Sequence, residues 1–553
     1  MKKELRKIRT LSIVAAIVFL VGCNLPFKNL PGMVTPVSVD PLGTSTPFQP
    51  GEETIAPLDL STGTSPLEVV ISPTPTFTSV PTFTPFPSLT PAPTNTAVPT
   101  LTSLPTATTA VIVPTEAANL PPLYAAVDRT RYLLNVSMDQ ANHFANISES
   151  IYYTNRTGYT LQNIVLGVNS NLWKDVFILG QVTINDLAPA SYDITGQWLT
   201  IGLLQPILPG ETIKIGVGYS IDLPYSSAKV ENFGYTTRQT NLIDWYPFIP
   251  PFENGNWVLP DPYGFGENLV YDKADFFIDL SFTDPYNQPV VAASSGYTQN
   301  NGIAHYELTN ARNFSFSMSY DFLVQSSFTG GVEVQHYYFP EDAIAAGRVL
   351  DVTTQSIATY SEVFGPYPHT MMTVVETELN DGLETDGLYF LSSSFYKYYN
   401  GSVQNNLSVI AIHETAHQWW YGAVASNQAT EPWLDESMAT YSELIFFENN
   451  YPDLLQWWWN FRVYSHNPAG WVDSPIYSFN YFADYVNAVY FNGAEFIHLV
   501  RQRIGDQAFY QFIAGYYNQF NGSIATTQDF LSLVEAYSGQ SINDLVADYF
   551  YYQ

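Results

Sequence analysis

The stretch SPTPTFTSVPTFTPFPSLTPAPTNTAVPT, residues 72–100, limits most strictly where this chain can fold. Proline recurring among threonines removes backbone N–H donors at close intervals, so neither a helix nor a paired sheet can run through it. The same low-complexity character covers 24–120. It predicts an extended tether spanning roughly 3 Å per residue where it is polyproline-like. Folded structure is expected in 121–553.

Ahead of the tether, Lys2, Lys3, Arg6, Lys7 and Arg9 make a basic start, followed by an uncharged run from Leu11 to Gly22. That run is short for a membrane span and suits the apolar centre of a signal peptide. It closes on Leu20-Val21-Gly22-Cys23, which resembles the lipobox of bacterial lipoproteins. The expectation is a signal segment over 1–23, lipidation of Cys23, and an exported folded part anchored in the membrane at the bacterial cell surface. Cys23 is the one cysteine of the chain, so disulfides within it are impossible and packing must supply stability. With 20 Lys and Arg against 51 Asp and Glu, the formal charge of −31 argues against nucleic acid as a partner.

Residues 121–326 read as β structure. YTNRTGYTLQNIVLGVNSN and DFFIDLSFTD are short alternating or β-branched runs parted by Asn, Gly and Pro. NARNFSFSMSYDFLV (310–324) reads as one more long strand closing the region. Nothing here groups acids, histidines or thiols at catalytic spacing, so a β-sandwich-like domain that walls a cleft is expected. Past residue 330 the period changes. AIAAGRVLDVTTQSIATYSEVF predicts a helix stopped by GPYP, MMTVVETEL a strand, and the remainder to Gln553 is mostly helical. An α+β multidomain chain is expected, with the second domain over 327–553.

Within that second half lies IHETAHQWWYG, residues 412–422. Side chains four apart on a helix point the same way, so His413 and His417 can offer two imidazole nitrogens to one ion. Glu414 lies about 100° around the helix, within reach of a water beside that ion. This H-E-x-x-H spacing matches two zinc ligands and a general base. A catalytic zinc needs a third protein ligand, and Glu436 follows His417 after eighteen intervening residues, in EPWLDESMATYSE. Gly422 can end the first helix and Pro432 suits the first turn of a second, which would return Glu436 to the metal. The competing reading of Glu436 is a solvated helix-face carboxylate, against which Trp433-Leu434 mark this end as buried. Glu443, seven residues on, shares a face with Glu436 and is a candidate acceptor for a ligand imidazole N–H.

H-E-x-x-H, eighteen residues, then Glu in WLDES resembles the aminopeptidase N family of zinc metallopeptidases, whose third-ligand motif reads W-L-N-E-G. FGPYPHTMMTVVET (364–377) is similar to the family's F-G-x-Y-P segment and the strand after it. VYFNGA (489–494) looks like its V-Y-x-K-G-A motif, which implies Tyr490 as the catalytic tyrosine. DGLETDGL (381–388) occupies the place of its G-x-M-E-N motif, which implies Glu384 as the residue that recognises the substrate amine. The resemblance spans about 121–553. It implies a thermolysin-like α/β catalytic domain, one Zn(2+) per chain on His413, His417 and Glu436, and Glu414 as base.

The implied activity is removal of N-terminal residues from peptides with a free N-terminus. Asn492 stands where the tyrosine motif has lysine, and only the glutamate of G-x-M-E-N is kept among its defining side chains. SGQSINDLVADYF (538–550) resembles the end of the catalytic domain, so the family's C-terminal helical-repeat domain is expected to be absent. These departures keep two alternatives in view: a surface endopeptidase on the same zinc site, and a non-catalytic surface module binding peptides or glycans. The second has no need of Glu414.

Overall fold

The computed structural model describes residues 124–226, 233–378 and 381–551. The expected signal segment, Cys23 and the tether lie outside the described residues. Among the described residues no helix is long and apolar enough to cross a membrane.

The N-terminal half is built on a seven-stranded sheet. Its order is Tyr297–Asn300, Ile303–Ala311, Ala274–Phe282, Thr130–Asp139, Phe144–Thr154, Thr212–Asp222, Phe177–Ile184. Thr130–Asp139 and Ala274–Phe282 run parallel, and the other neighbours are antiparallel. Alternation decides which face is buried: Tyr132, Leu134, Val136 and Met138 point inward and Arg131 and Asn135 outward. A three-stranded sheet of Leu161–Gly167, Trp198–Ile207 and Ser191–Thr195 adds Ile164, Leu199 and Ile201 to the same core. A small four-stranded sheet, Val290–Ala293, Phe316–Ser319, Thr240–Leu242 and Gly234–Tyr235, leads toward the second half.

The second half has a five-stranded sheet of β1 (Leu323–Thr329), β2 (Val332–Tyr338), β3 (Met371–Thr377), β4 (Gly382–Thr385) and β5 (Leu388–Ser392), in the order β1-β2-β3-β5-β4. β2, β3 and β5 are parallel, with β1 and β4 antiparallel at the edges. Every residue of β3 is buried, as a central parallel strand requires. Helices α1 (Ala343–Val363), α2 (Asn406–Ala416), α3 (Trp433–Asn450) and α4 (Gly493–Ile504) pack into one large apolar cluster with the sheet. α1 stops at the expected GPYP. Gly365 there has φ +146°, and a Cβ on it would lie 2.4 Å from the Tyr517 ring.

Two expectations change. The span 310–324 is not one strand: Ile303–Ala311 ends, Phe316–Ser319 joins the four-stranded sheet, and β1 begins at Leu323. The break falls at Arg312, which must leave the ladder to reach its partners. β1 hairpins with β2 inside the second sheet, so the chain changes sheets between Ser319 and Leu323 and residues 326 and 327 fall within one strand.

Arg312 is 1% exposed. Its guanidinium donates to the carbonyls of Tyr271, Tyr421, Gly422, Ala423 and Ser523 at 2.6–3.0 Å. Its backbone N–H reaches Asp386 Oδ2 at 2.8 Å, and Lys273 Nζ (2.8 Å) and His369 Nε2 (2.6 Å) meet the same carboxylate. Burial alone would push the Asp386 carboxyl up, but Lys273 and His369 hold it far below the ordinary aspartate value. A buried charge is tolerated only with such complete pairing. The cluster pins the end of the motif-bearing segment to the β half.

Glu149 is the opposite case. It is 1% exposed in the β core beside Tyr219, and burial raises its carboxyl well above the ordinary 4.5. A raised folded pKa contributes stability that is full below the unfolded value and is lost as pH rises toward the folded one. Denaturant unfolding of the wild type should therefore show stability falling as pH climbs above 4.5, and Glu149→Gln should flatten that slope. An unchanged slope in the variant would show that Glu149 keeps its ordinary pKa.

Candidate metal centre and cleft

α2 opens on Asn405, whose side chain accepts the Ser408 N–H at 3.0 Å, and is buried from Leu407 to Ala416. The α-helical part ends at Ala416, earlier than the expected stop at Gly422. A wider π-helical turn, Gln418–Ala423, follows, with Trp420 at φ −105°, ψ 39°. Such turns occur where a side chain must be re-aimed at a functional site. His413 and His417 sit one turn apart with their Nε2 atoms 3.0 Å from each other. α3 starts directly after Pro432 and carries Glu436 back: its Oε2 is 3.2 Å from His413 Nε2 and 3.5 Å from His417 Nε2.

The backs of both rings are fixed. His413 Nδ1 donates to Glu443 Oε1 at 2.9 Å, and His417 Nδ1 to Asp435 Oδ1 at 2.5 Å. The Glu443 carboxylate also receives Arg462 Nε and Nη2 at 2.8–3.0 Å and Trp458 Nε1 at 2.9 Å. With each Nδ1 committed as donor, both Nε2 atoms turn lone pairs toward the Glu436 oxygen. Three buried lone-pair donors at this separation repel one another unless a proton or a metal cation lies among them. Ligands about 2.0–2.1 Å from a tetrahedral zinc stand roughly 3.3 Å apart, so the donor set fits that ion.

Glu414, adjacent in sequence, has its Oε2 buried without a hydrogen-bond partner among the described residues. Its Oε1 presses on Gly382 of β4, where a Cβ would lie only 2.1 Å away. That glycine lets the edge strand approach α2. Burial raises the Glu414 carboxyl well above its ordinary value; a divalent charge on the three donors would draw it back down. Glu384 and Glu414 each bring an oxygen within 4.8 Å of the other and of a His417 ring nitrogen. Glu384 is 6% exposed, with Oε1 accepting from Gln428 Nε2 at 3.0 Å. Tyr490 lies in a second π-helical turn, Val486–Asn492, its ring parallel to His413 at 5.8 Å. Burial, then the neighbouring Glu436, raise its hydroxyl well above 10, so it stays a donor. A Cβ on Gly493 would lie 1.9 Å from Ser437 Oγ, which is how closely this turn approaches α3. Asn492 donates to the Gly470 carbonyl at 2.8 Å, away from the donors.

All seven side chains singled out in this half thus converge: His413, Glu414, His417, Glu436, Glu443, Glu384 and Tyr490. The β half, expected only to wall the cleft, supplies an acid as well. Glu267 is pushed up to about 8 by burial, then by the nearby charges of Glu436 and Asp435. A lone glutamate in a loop carries no sequence signal, because its approach is purely tertiary. Asp435 was not singled out either, although it stands where W-L-N-E-G has asparagine and that difference could have marked it. Gln428 and Arg462 had no motif to mark them.

A model of the peptidase family M1 domain matches residues 348–549, the stretch holding all three donors and Tyr490. This chain carries an M1 peptidase domain. Aminopeptidase M1-D of Oryza sativa subsp. japonica is 26% identical over 216 residues, covering 36% of this chain and 24% of that protein. Probable aminopeptidase 2 of Sulfurisphaera tokodaii is 26% identical over 227 residues, covering 37% and 28%. The matches thus span about a quarter of these relatives' own length. Among solved structures, the M1 zinc metallopeptidase from Deinococcus radiodurans superposes with a TM-score of 0.57 at 19% identity, covering 77% of this chain and 95% of that one. A two-domain M1 zinc metallopeptidase bound to L-arginine superposes equally well, with a TM-score of 0.57, covering 76% and 93%. The two-part architecture of the M1 fold therefore extends across the β half and the M1 domain of this chain.

Removing an acceptor behind a ligand imidazole weakens metal binding by about 10–100-fold. Glu443→Ala should lose zinc to a chelator at correspondingly lower chelator concentration than the wild type. Equal retention, measured by metal quantification, would remove Glu443 from that role.

Proposed function

We propose that this chain is a zinc-dependent aminopeptidase, hydrolysing the first peptide bond of peptides with a free N-terminus. The observation that carries the reading is the trio of donors at tetrahedral-ligand spacing, with Glu414 and Glu384 each bringing an oxygen within 4.8 Å of a His417 ring nitrogen. The names of the relatives, aminopeptidases in each case, and the L-arginine bound in the structural neighbour support it.

His413, His417 and Glu436 would hold the zinc, which when bound supplies a Lewis acid that polarises water and the scissile carbonyl. Glu414 takes a proton from the attacking water at its unpaired Oε2 and returns it to the leaving nitrogen, and the second proton of the water follows, so water and peptide yield one carboxylate and one ammonium group. Tyr490 donates its hydroxyl hydrogen to the carbonyl oxygen as negative charge gathers there. A placed donor of this kind is worth roughly 3 kcal/mol in the transition state. An α-ammonium beside Glu384 and Glu267 would favour their ionised forms, which burial alone disfavours, and a substrate held there would present its first peptide bond to the metal. The N-terminal segment, read as a lipoprotein signal ending at Cys23, supports export and anchoring at the bacterial cell surface.

A panel of short peptides, free and N-acetylated, tests the reading with zinc measured in the same preparation. The expected result is strong preference for the free forms, with Glu414→Gln retaining zinc while turnover falls by several orders of magnitude. Equal cleavage of acetylated peptides would make the enzyme an endopeptidase, and full activity of Glu414→Gln would remove it as base.

Gly382 offers a second check. Gly382→Ala places a methyl where Glu414 Oε1 now lies. A misplacement of about 1 Å should lower kcat about 100-fold with zinc content unchanged. Undiminished kcat would show that the strand yields instead of the base.

A further inference from the structure

Gln428 lies in the segment between the π-helical turn and α3 and is 5% exposed. Its Nε2 is 3.0 Å from Glu384 Oε1 and 2.6 Å from Asp435 Oδ2. Both neighbours are carboxylate oxygens, which in their ionised form accept only. The NH2 end of the amide, with two hydrogens, is the one end that can face both. The direction of the amide follows from its surroundings.

Asp435 is what imposes that direction. One of its oxygens takes the His417 Nδ1–H at 2.5 Å, and the other takes Gln428. With asparagine at 435, the amide carbonyl would stay on the imidazole and the NH2 would turn toward Gln428. Two NH2 groups would then meet. Rotating the Gln428 amide would relieve that contact but set its carbonyl against the Glu384 carboxylate. Carboxylate at 435 and carboxamide at 428 are therefore a matched pair, and Glu384 is the group their match serves. Glu384 belongs to an edge strand of four residues, so this bond is a main side-chain restraint on its head group.

We propose that Gln428 is a positioning residue whose amide holds Glu384 to receive the α-ammonium of a peptide substrate, with Asp435 fixing the direction of that amide. This rests on the aminopeptidase reading.

The test uses the full chain as wild type, E384Q, Q428L, Q428E, D435N and Q428E/D435N, at saturating zinc with metal quantified in each. KM and kcat are measured on one short peptide with a free N-terminus and on its N-acetylated form. Losing a hydrogen bond to a charged group should raise KM for the free peptide about tenfold or more in Q428L. Q428E has the same length and shape but cannot donate to both carboxylates, so it should show the same rise, with zinc content held and kcat changed far less than KM. D435N should shift KM in the same direction, and Q428E/D435N should fall short of the product of the single effects, as coupled neighbours do. Wild-type KM in Q428E, or an effect equal on free and acetylated peptides, would overturn the proposal even where Q428L fails to fold. If E384Q loses the preference for free amines while both Gln428 variants keep it, the aminopeptidase reading stands and the role of Gln428 falls. If the wild type shows no such preference, both fall together.

Discussion

Three lone pairs aimed at one point govern this structure. The Nε2 atoms of His413 and His417 and an oxygen of Glu436 stand 3.0–3.5 Å apart, buried, with both Nδ1 atoms already committed to carboxylates. A divalent ion shared by all three would make the arrangement a rigid tripod. Local geometry supplies only half of it, since one helix places two imidazoles but no third donor. Everything else about the half from β1 onward, the wide turn after α2, the return of α3 and the glycines where elements touch, serves to bring the third donor and the reacting groups to that point.

Charge balance in the cleft follows from the same constraint. Glu267, Glu384, Glu414 and Asp435 add to the ligand carboxylate, and burial with mutual repulsion raises several of them. A divalent ion neutralises part of this charge and leaves an acid-rich end that favours an ammonium group. Gln428 bridges two of these acids, Asp435 behind His417 and Glu384.

The β half is more than a wall. Arg312 takes up the carbonyls at the end of the motif segment, and Asp386, two residues past Glu384, is gripped by Lys273 and His369. Both ends of the cleft are therefore referenced to one buried ionic cluster. The cluster ties the β half to the second half through fully paired buried charges.

Periodicity made α1 and β3 legible because their patterns are local. H-E-x-x-H with Glu436 made the metal centre legible because helix geometry turns a spacing of four into a shared direction. The long strand expected at 310–324 failed because alternation records which face is buried and not whether Arg312 must leave the ladder for distant carbonyls. Glu267 and Gln428 were invisible for a related reason: their meaning lies in which oxygens approach them, from strands and loops far away in the chain. The sequence by itself determined the three grouped donors, the carboxylate beside them and the elements that carry them. Only the tertiary structure decided which remote acids and amides complete the cleft, because hydrogen-bond partners in a buried site are set by the packing of whole elements and leave no period or spacing along the chain.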